Sequence, residues 1–364
     1  MQATGMENVL DTPLAALHRN AGAKMGVWFG CTLPGEFTDW RSEYAFGRKS
    51  VALIDKNYRA YLSFTGPDRV RYLNAILTNN IKDLRAGQGI VSLLLNPQGH
   101  ILAEIETCAL PDSLFCVSYA MIRAQLIEVI EKYIIMDDVT LEDQTDRFAT
   151  LAIEGPKAAS VVQEVSSVDI TKLDELSFCE GSVATIPCRI VKRSPGGVPG
   201  AEFVIGREKV AELWQVLLAE VRKRGGGPVG YKALSALRLE MGVPWFGYDF
   251  GERQIPHEAG LQESHISYTK GCYTGQEIVE RVRSRGQVNK QRVELVFSGD
   301  VVPEAGAPLT LDGKEVGHIT RAAQVLEPPR ILGTAYVRRE GTAAGTVLQW
   351  TGGTAKVAKL ASIG

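Results

Sequence analysis

Residues 90–109 have the sequence IVSLLLNPQGHILAEIETCA, and this stretch decides the fold. Two apolar runs, Ile90 to Leu95 and Ile101 to Ala109, have the length and composition of strands. Between them, Asn96-Pro97-Gln98-Gly99 provides proline and glycine at positions that suit a tight turn. The stretch therefore predicts an antiparallel hairpin with a short loop.

Strands and helices alternate on both sides of this hairpin, without the regular spacing of a parallel barrel. Predicted strands lie at residues 58–64, 114–119, 139–143, 148–153, 183–192 and 201–205. Predicted helices lie at residues 12–22, with Thr12 as the N-cap, at 36–46, from Gly66-Pro67-Asp68 onward, at 120–135, from Pro156, and at 207–224 and 230–241. The pattern predicts an α+β fold in which antiparallel sheets carry helices on one face.

The pattern changes from about Gln291, where short strands alternate with turns such as Leu311-Asp312-Gly313. No stretch with helical periodicity follows. The C-terminal part is therefore predicted to form a small all-β barrel. We expect a first region at residues 1–288 and a barrel domain at residues 289–364.

The composition argues against several classes of protein. The 364 residues include 40 basic and 42 acidic side chains, a net charge of −2, which does not suit a protein held to nucleic acid by bulk charge. No apolar run reaches the roughly 20 residues that span a bilayer. The N-terminal stretch has no basic region followed by an apolar core, so we expect no signal peptide and a cytoplasmic location.

Three patterns that could indicate a cofactor or metal site are weak in this chain. The six cysteines, at positions 31, 108, 116, 179, 188 and 272, form no C-x-x-C pair and no zinc-ligand spacing. Residues 225–230, GGGPVG, match the letters of a dinucleotide motif but follow a helix, so a loop is the better interpretation. The five histidines have no paired-ligand spacing, which favours structural roles, and we expect no metal site.

The octapeptide KGCYTGQE at residues 270–277 carries the most chemical information. A lysine two positions before Cys272 would favour the thiolate, which is the form that reacts or binds metal. Glycines at 271 and 275 would let the backbone fold tightly around the sulfur. Two interpretations stay open: a reactive or ligating thiol, or a turn into a helix whose sulfur only packs. Basic residues follow at 281, 283, 285, 290 and 292, and a solvated basic loop is favoured over an RNA contact.

KGCYTGQE resembles the signature of the YgfZ-type folate-binding proteins, which are relatives of the glycine cleavage T-protein (aminomethyltransferase). The similarity spans nearly the whole chain. It includes the stretches at residues 12–18, 22–25, 77–88, 93–99, 237–242 and 256–261. The resemblance implies the T-protein architecture, in which interlocked α+β domains and a C-terminal barrel surround a central channel that holds tetrahydrofolate or a one-carbon derivative of it.

The resemblance also implies roles for three residues. Glu202 ends a stretch, residues 193–202, that in the family offers a carboxylate to the N–H groups of the pterin; the alternative is a charge on the solvent face of a strand. Glu104 takes the place of a family aspartate after the hairpin and is one methylene longer; the alternative is a surface carboxylate. Arg238 is expected at the anionic tail of the folate, at the site wall or in a structural ion pair.

The chain departs from the T-protein pattern at two places. Pro195 stands where the family has a tyrosine, and Asp55-Lys56-Asn57-Tyr58 keeps only the first residue of a D-V-S-H-like stretch. The signature that contains Cys272 is absent from true T-proteins. The N-terminal part therefore resembles the T-protein, whereas the motif resembles the YgfZ type.

The leading hypothesis is a tetrahydrofolate-binding protein of the YgfZ type. It would support iron–sulfur cluster assembly or repair, and through it cluster-dependent enzymes such as tRNA-modifying ones, with assembly or client proteins as partners. Cys272 would be the working thiol and Lys270 would tune it; the other motif residues would form and hold the loop (Gly271, Tyr273, Gly275, Gln276, Glu277). The alternatives are an aminomethyltransferase that moves a one-carbon unit to tetrahydrofolate with Glu104 in catalysis, and a scaffold that no longer binds folate.

Overall fold

Ten α-helices and twenty strands are present in residues 9–360, the part of the chain that the computed structural model describes. The helices are α1 Ala15–Asn20, α2 Trp40–Lys49, α3 Arg69–Ile76, α4 Arg123–Tyr133, α5 Ala158–Ser166, α6 Val210–Lys223, α7 Tyr231–Glu240, α8 Pro256–Ala259, α9 Gln262–His265 and α10 Gln276–Arg285. The first ten strands are β1 Leu10–Asp11, β2 Lys24–Trp28, β3 Cys31–Glu36, β4 Ala52–Asp55, β5 Arg59–Thr65, β6 Gly89–Leu95, β7 Ile101–Ala109, β8 Leu114–Tyr119, β9 Thr140–Asp143 and β10 Phe148–Glu154. The others are β11 Phe178–Val183, β12 Ile186–Lys192, β13 Gly200–Gly206, β14 Gly227–Pro228, β15 Lys290–Phe297, β16 Pro308–Leu311, β17 Lys314–Leu326, β18 Pro329–Arg338, β19 Val347–Trp350 and β20 Gly353–Leu360. None of these helices is long and apolar enough to cross a bilayer.

The predicted hairpin forms as β6 and β7 within a five-stranded antiparallel sheet of order β6-β7-β8-β5-β9. Buried side chains such as Leu73 of α3 and Leu126 of α4 pack against Leu94 on one face of this sheet. Each such burial contributes about 1.5–3 kcal/mol. Leu93 lies opposite Glu104 in the hairpin, so both side chains occupy the other face, which is turned toward the middle of the molecule.

A second sheet has six strands in the order β11-β12-β13-β10-β4-β14. Helices α5 and α6 cover it through Val161, Leu213 and Trp214. Strand β4 belongs to this second sheet, whereas β5, which follows after three residues, belongs to the first. The chain therefore crosses between the two sheets at residues 56–58, and this crossing interlocks them.

The predicted strand at residues 183–192 is wrong in its extent. The structure has an antiparallel hairpin instead, β11 followed by β12, with Ala184 at φ 52° in the turn. Strand β11 begins at Phe178, inside the polar stretch 166–180, which predicts no strand. It lies at the edge of the sheet, where alternate side chains face solvent, so its polar composition hides the strand pattern.

The first two helices begin later than predicted. Helix α1 begins at Ala15, and Thr12 is not its N-cap because the Thr12 hydroxyl donates to the Thr32 carbonyl at 3.2 Å. Helix α2 begins at Trp40 rather than at residue 36, because the Asp39 carboxylate accepts from the backbone N–H of Ser42 and caps the helix there.

The C-terminal strands close into a six-stranded barrel of order β15-β18-β17-β16-β19-β20, as predicted. Small and branched apolar side chains fill its interior. Several polar contacts attach the barrel to the rest of the chain. Among them, Arg292 Nε donates to the Ala259 carbonyl at 2.9 Å, and Thr334 Oγ1 donates to Asp249 at 2.7 Å. The division of the chain between residues 288 and 289 remains a proposal.

Candidate functional site

A cavity of about 1420 Å³ is lined by residues of both sheets and of α2 and α7. Aromatic rings form part of its wall, among them Tyr58, Tyr119, Tyr231 and Trp245. Its charged lining has six basic side chains, Arg48, Lys56, Arg59, Lys192, Arg193 and Arg238, and four acidic ones, Glu104, Glu154, Glu175 and Glu240. The balance of charge on the wall is positive, which favours a ligand with anionic groups.

The crossing between the sheets is fixed by a buried carboxylate. Asp55 Oδ1 accepts from the backbone N–H of Asn57 at 2.9 Å and from its side-chain amide at 2.6 Å, and Oδ2 contacts His18 Nε2 at 2.9 Å. The Asn57 side chain in turn accepts from the backbone N–H of Thr150 at 3.0 Å. These bonds hold residues 55–59 in one conformation, which presents three cavity residues, Lys56, Tyr58 and Arg59.

Glu202 lies on β13 directly behind this crossing and is buried, so the solvent-face alternative is excluded. Its Oε1 accepts from Lys56 Nζ at 2.9 Å and from Arg59 Nη2 at 3.0 Å. Burial alone would raise the pKa of Glu202, but the charges of Arg59, Lys56 and Arg193 hold the pKa far below its ordinary value. Glu202 is not part of the cavity wall, whereas both of its cationic partners are.

The same cations continue into a buried network of alternating charge. Lys56 Nζ donates to Glu154 Oε1 at 2.7 Å, and Glu106 Oε1 lies 3.5 Å from Arg59 Nη1 and 2.8 Å from Arg193 Nη2. Each buried charge thus has an opposite charge beside it, and the attraction between them offsets the free-energy cost of removing the ions from water. No pattern in the sequence predicts this network, apart from the departure from the family pattern at residues 55–58.

Glu104 lies on β7, is buried, and lines the cavity, so it is not a surface carboxylate. Its Oε2 accepts from the Tyr119 hydroxyl at 2.7 Å, and its Oε1 lies 3.0 Å from His265 Nε2. Burial tends to raise the pKa of Glu104, but the hydrogen bond and charge of His265, with the Tyr119 hydroxyl and Arg193, lower it overall. The cavity wall therefore carries an ionised carboxylate at this point.

His265, at the end of α9, is a cavity residue that sequence reasoning missed. Its Nδ1 lies 2.7 Å from Ser264 Oγ, and its backbone carbonyl accepts from Thr78 Oγ1 at 2.6 Å. As a lone histidine without a ligand partner in sequence it was expected to be structural. Its partner Glu104 is 161 positions away, so only the fold brings the two together.

Arg238, on α7, satisfies two of its three predicted placements. It forms a buried ion pair with Asp249 and lines the cavity. Its guanidinium lies 4.6 Å from the ring centroid of Trp245. Burial lowers the pKa of Arg238, and Asp249 opposes that shift. Its buried Nε and Nη2 have no hydrogen-bond partner among the described residues.

Lys270 holds the motif loop to a neighbouring turn. Its ammonium donates to three backbone carbonyls, those of Asn74, Leu77 and Asn79, the last at 3.2 Å. It also lies 5.1 Å from the ring centroid of buried Tyr273. Burial lowers the pKa of Lys270 to about 8. All three ammonium N–H bonds have carbonyl acceptors, so the contacts assign Lys270 to anchoring the loop, and its tuning of the thiol stays a prediction.

The sulfur of the motif lies on the surface. Cys272 is exposed, and so is Gly271, whereas the other cysteines are buried or, for Cys179, half-buried. Cys272 is not part of the cavity wall. Gly275 has φ +81°, and a Cβ there would lie 2.6 Å from the Asn96 carbonyl, so only glycine fits this turn.

The two polar residues at the end of the motif have different surroundings. Gln276 begins α10, and its backbone N–H donates to the Tyr273 carbonyl at 3.2 Å. Glu277 is exposed and pairs with Arg281 one turn later, at 2.5 Å. The described contacts of Glu277 therefore stay within α10, and a role for Glu277 in holding the loop stays a prediction.

One short segment contacts both the motif loop and the cavity wall. This segment, residues 77–80, accepts hydrogen bonds from the Lys270 ammonium through the Leu77 and Asn79 carbonyls. The same segment binds the backbone of the cavity wall, because Thr78 Oγ1 donates to the His265 carbonyl and Asn79 Nδ2 donates to that of Ser264 at 3.4 Å. The motif loop with Cys272 and the cavity wall at Glu104 and His265 are thus separate, but residues 77–80 link them by hydrogen bonds.

Comparison with known proteins identifies similar chains. A family model described as "GCVT N-terminal domain" matches residues 14–266. The aminomethyltransferase of Streptomyces avermitilis is 27% identical over 92% of this chain and 91% of its own length. The aminomethyltransferase of Lysinibacillus sphaericus is 27% identical over 93% of this chain and 92% of its own length.

A solved structure shares the whole architecture. The crystal structure of glycine cleavage system aminomethyltransferase T from Bartonella henselae matches this chain with a TM-score of 0.88 and 23% identity, covering 98% of both chains. At this identity the likeness shows the fold. It confirms the predicted α+β architecture with a C-terminal barrel.

Proposed function

Because the chain belongs to the GCVT family, we propose that its central cavity binds tetrahydrofolate or a one-carbon derivative of it. The charged groups of the wall fit the two ends of such a ligand. A pterin edge presents N–H donors, for which Glu104 is an acceptor on the wall. The glutamate tail presents carboxylates, for which the cationic side chain of Arg238 is a partner on the wall.

The size and the aromatic lining of the cavity also fit a folate. Ligand pockets for molecules of this class usually measure about 300–1,000 Å³, so about 1420 Å³ leaves room for the ligand and ordered water. Tyr119, Tyr231 and Trp245 offer flat apolar surfaces to a ring system.

Glu202 has an indirect role in this proposal. Its Oε1 already accepts from Lys56 and Arg59, and these two cations stand on the cavity wall in front of it. We therefore assign Glu202 to holding Lys56 and Arg59 in position. The direct grip on the pterin that the resemblance implies would require one of these cations to move.

The activity that we favour is that of the YgfZ type, the support of iron–sulfur cluster assembly or repair in cluster-dependent enzymes. The observation that carries it is the position of Cys272, an exposed cysteine in a loop that Lys270 ties to the segment behind the cavity wall. An exposed thiol on an anchored loop is accessible to a partner protein, whereas a thiol inside the cavity would be accessible only to a small ligand.

Replacement of Cys272 by serine tests this activity. In a cell that lacks its own copy, Cys272→Ser should fail to restore the activity of cluster-dependent enzymes such as tRNA-modifying ones. Tetrahydrofolate binding by the purified variant should be unchanged, because Cys272 lies outside the cavity wall. Cys179→Ser, at the half-buried cysteine, is the matched control and should restore activity. Full restoration by Cys272→Ser would remove the thiol from the mechanism.

A second candidate is aminomethyl transfer to tetrahydrofolate. It is favoured by the similar proteins, which are aminomethyltransferases by name and align along more than nine tenths of the chain, and by the ionised Glu104 in the cavity. It predicts turnover with an aminomethylated lipoyl carrier protein and a large loss of that turnover in Glu104→Gln. Turnover no higher than the background rate would end this candidate. If the chain also fails to bind tetrahydrofolate in a calorimetric titration, the third alternative, a scaffold that no longer binds folate, would apply.

A further inference from the structure

Glu104 and His265 form a buried pair, and each polar side-chain atom of the pair has a hydrogen-bond partner. Glu104 Oε1 lies 3.0 Å from His265 Nε2, and Oε2 accepts from the Tyr119 hydroxyl at 2.7 Å. Ser264 Oγ, 2.7 Å from His265 Nδ1, occupies the other ring nitrogen. With the Ser264 hydroxyl at Nδ1, the proton on Nε2 points at the carboxylate in both the neutral and the protonated imidazole.

We infer that His265 is a positioning residue that keeps Glu104 as an anion on the cavity wall, so that the site selects a ligand with N–H donors. This inference rests on the proposed folate binding and assigns a role to a residue outside the signature motif. The longer side chain of glutamate, compared with aspartate, provides the reach to a histidine on α9.

The inference depends on what a buried carboxylate does without a partner. Removal from water favours the neutral acid, and a protonated Glu104 would present one O–H donor in place of an acceptor. Burial is the largest influence on the pKa of Glu104 and acts to raise it, whereas the hydrogen bond and the charge of His265 are the next largest and act to lower it. Without His265, only the weaker influences of Tyr119 and Arg193 oppose the effect of burial on the pKa of Glu104.

The other charged and titratable groups around the pair come from three elements. Tyr119 of β8 donates to Glu104, and Arg193, after β12, contributes positive charge. From the crossing between the sheets, Tyr58 and Arg59 face the Tyr119 ring, with the Arg59 guanidinium 5.9 Å from its centroid. Arg193 and Arg59 are both engaged by Glu106, so neither replaces His265 as a hydrogen-bond donor to Glu104.

The ionisation of Glu104 can be measured directly in the ligand-free protein. Carbon-13 NMR of protein labelled at glutamate carboxyls, with the resonance assigned by its loss in Glu104→Gln, follows the titration between pH 8 and pH 5. We expect no titration of Glu104 in this range in the unsubstituted chain. His265→Leu should move the midpoint up by about one pH unit or more, into the observed range.

Two further variants make this measurement decisive. His265→Gln, which keeps an N–H donor without a charge, should give a midpoint between those of His265→Leu and the unsubstituted chain, and it carries the test if His265→Leu does not fold. His100→Gln, at an exposed histidine, should leave the Glu104 resonance unchanged. A Glu104 signal that stays flat from pH 8 to pH 5 in folded His265→Leu or His265→Gln would overturn the inference.

A binding measurement separates this inference from the proposed function. Tetrahydrofolate is titrated into each chain and followed by intrinsic fluorescence at pH 7.5 and pH 5.5. The ratio of Kd in His265→Leu to Kd in the unsubstituted chain should rise about twofold or more between the two pH values, since protonated Glu104 no longer accepts. A ratio that does not change with pH would contradict the role of His265. An unsubstituted chain that binds no tetrahydrofolate would instead refute the proposed function, and the NMR titration would still test the pair.

Discussion

A single carboxylate oxygen, Oε1 of Glu202, accepts hydrogen bonds from two cations that line one side of the cavity. Lys56 and Arg59 both depend on it, and both project onto the wall. Removing one partner of a buried ion pair costs more than the pair itself contributes, because the remaining charge stays out of water. Residue 202 should therefore be sensitive to substitution even though it does not line the cavity.

Glu202→Gln should lower the free energy of unfolding at pH 7 by about 3–5 kcal/mol. The folded pKa of Glu202 lies far below its ordinary value of 4.5, so its contribution is complete above about pH 4.5 and is lost as the pH falls further. The difference in the free energy of unfolding between the variant and the unsubstituted chain should accordingly become smaller in acid. Urea unfolding at pH 7 and pH 4 measures both effects.

Glu277→Gln is the control for this prediction. Glu277 is 83% exposed on its side chain and forms only an i,i+4 pair with Arg281. Such a surface pair contributes roughly 0.3–0.5 kcal/mol, so the control should unfold almost as the unsubstituted chain does. A loss in Glu202→Gln no larger than that of the control would contradict the buried network as described.

At this scale the sequence could identify residues that belong to a recognisable stretch. Glu104 follows the hairpin glycine and Cys272 lies in the octapeptide, and both were candidates before the fold was known. His265 and Arg59 were missed, because each acts with partners far away in sequence, Glu104 for His265 and Glu202 for Arg59. Periodicity and spacing within one segment contain no information about such pairs.

At the scale of the elements, the turn into α10 requires glycine at position 275. Gly275 has φ +81°, and a methyl group there would meet the Asn96 carbonyl of the β6–β7 loop at 2.6 Å. The motif loop is thus fitted against the hairpin that organises the first sheet. Its second glycine, Gly271, has open space around its Cα.

Gly275→Ala should lower the free energy of unfolding by about 1–3 kcal/mol, from the backbone strain and the close contact. Gly271→Ala, four residues earlier in the same loop, should change it by no more than roughly 0.5 kcal/mol. Urea unfolding gives the two values, and hydrogen exchange should show faster opening of α10 in Gly275→Ala alone. Equal behaviour of the two variants would mean that the turn tolerates a side chain.

The elements also show where sequence patterns are reliable. The hairpin of β6 and β7 was predicted because its apolar runs and its turn residues agree. Strand β11 was missed because it is an edge strand with an exposed face, and the start of α2 was placed too early because the Asp39 cap was not recognised. Packing of buried faces leaves a pattern in the sequence, whereas edges and caps leave a weak one.

At the scale of the whole molecule, one carboxylate joins the barrel to the cavity. Asp249 Oδ2 accepts from Arg238 and from the backbone N–H of Trp245, while Oδ1 accepts from Thr334 of the barrel at 2.7 Å and lies 3.4 Å from Thr320 Oγ1. The barrel is therefore bonded to the same aspartate that holds a cavity arginine in place.

Asp249→Asn should cost about 3–5 kcal/mol of unfolding free energy, because it leaves the buried Arg238 without its counter-charge. It should also loosen the barrel, which hydrogen exchange would detect as faster exchange in β17 and β18. Asp300→Asn, at an exposed aspartate of the barrel domain, should alter neither quantity. Unchanged exchange in β17 and β18 of Asp249→Asn would show that the remaining contacts hold the barrel without Asp249.

The uneven exposure of the six sulfurs has a practical consequence. Burial raises the pKa of Cys31, Cys108 and Cys116 to about 12 and that of Cys188 to about 11, so these thiols stay protonated near neutral pH. A maleimide dye reacts with accessible thiolate, and of the six cysteines Cys272 alone is exposed. The protein therefore comes with its own attachment point for a fluorophore or cross-linker, and an adduct formed there would report on docking at that surface without any cysteine having to be engineered in or out.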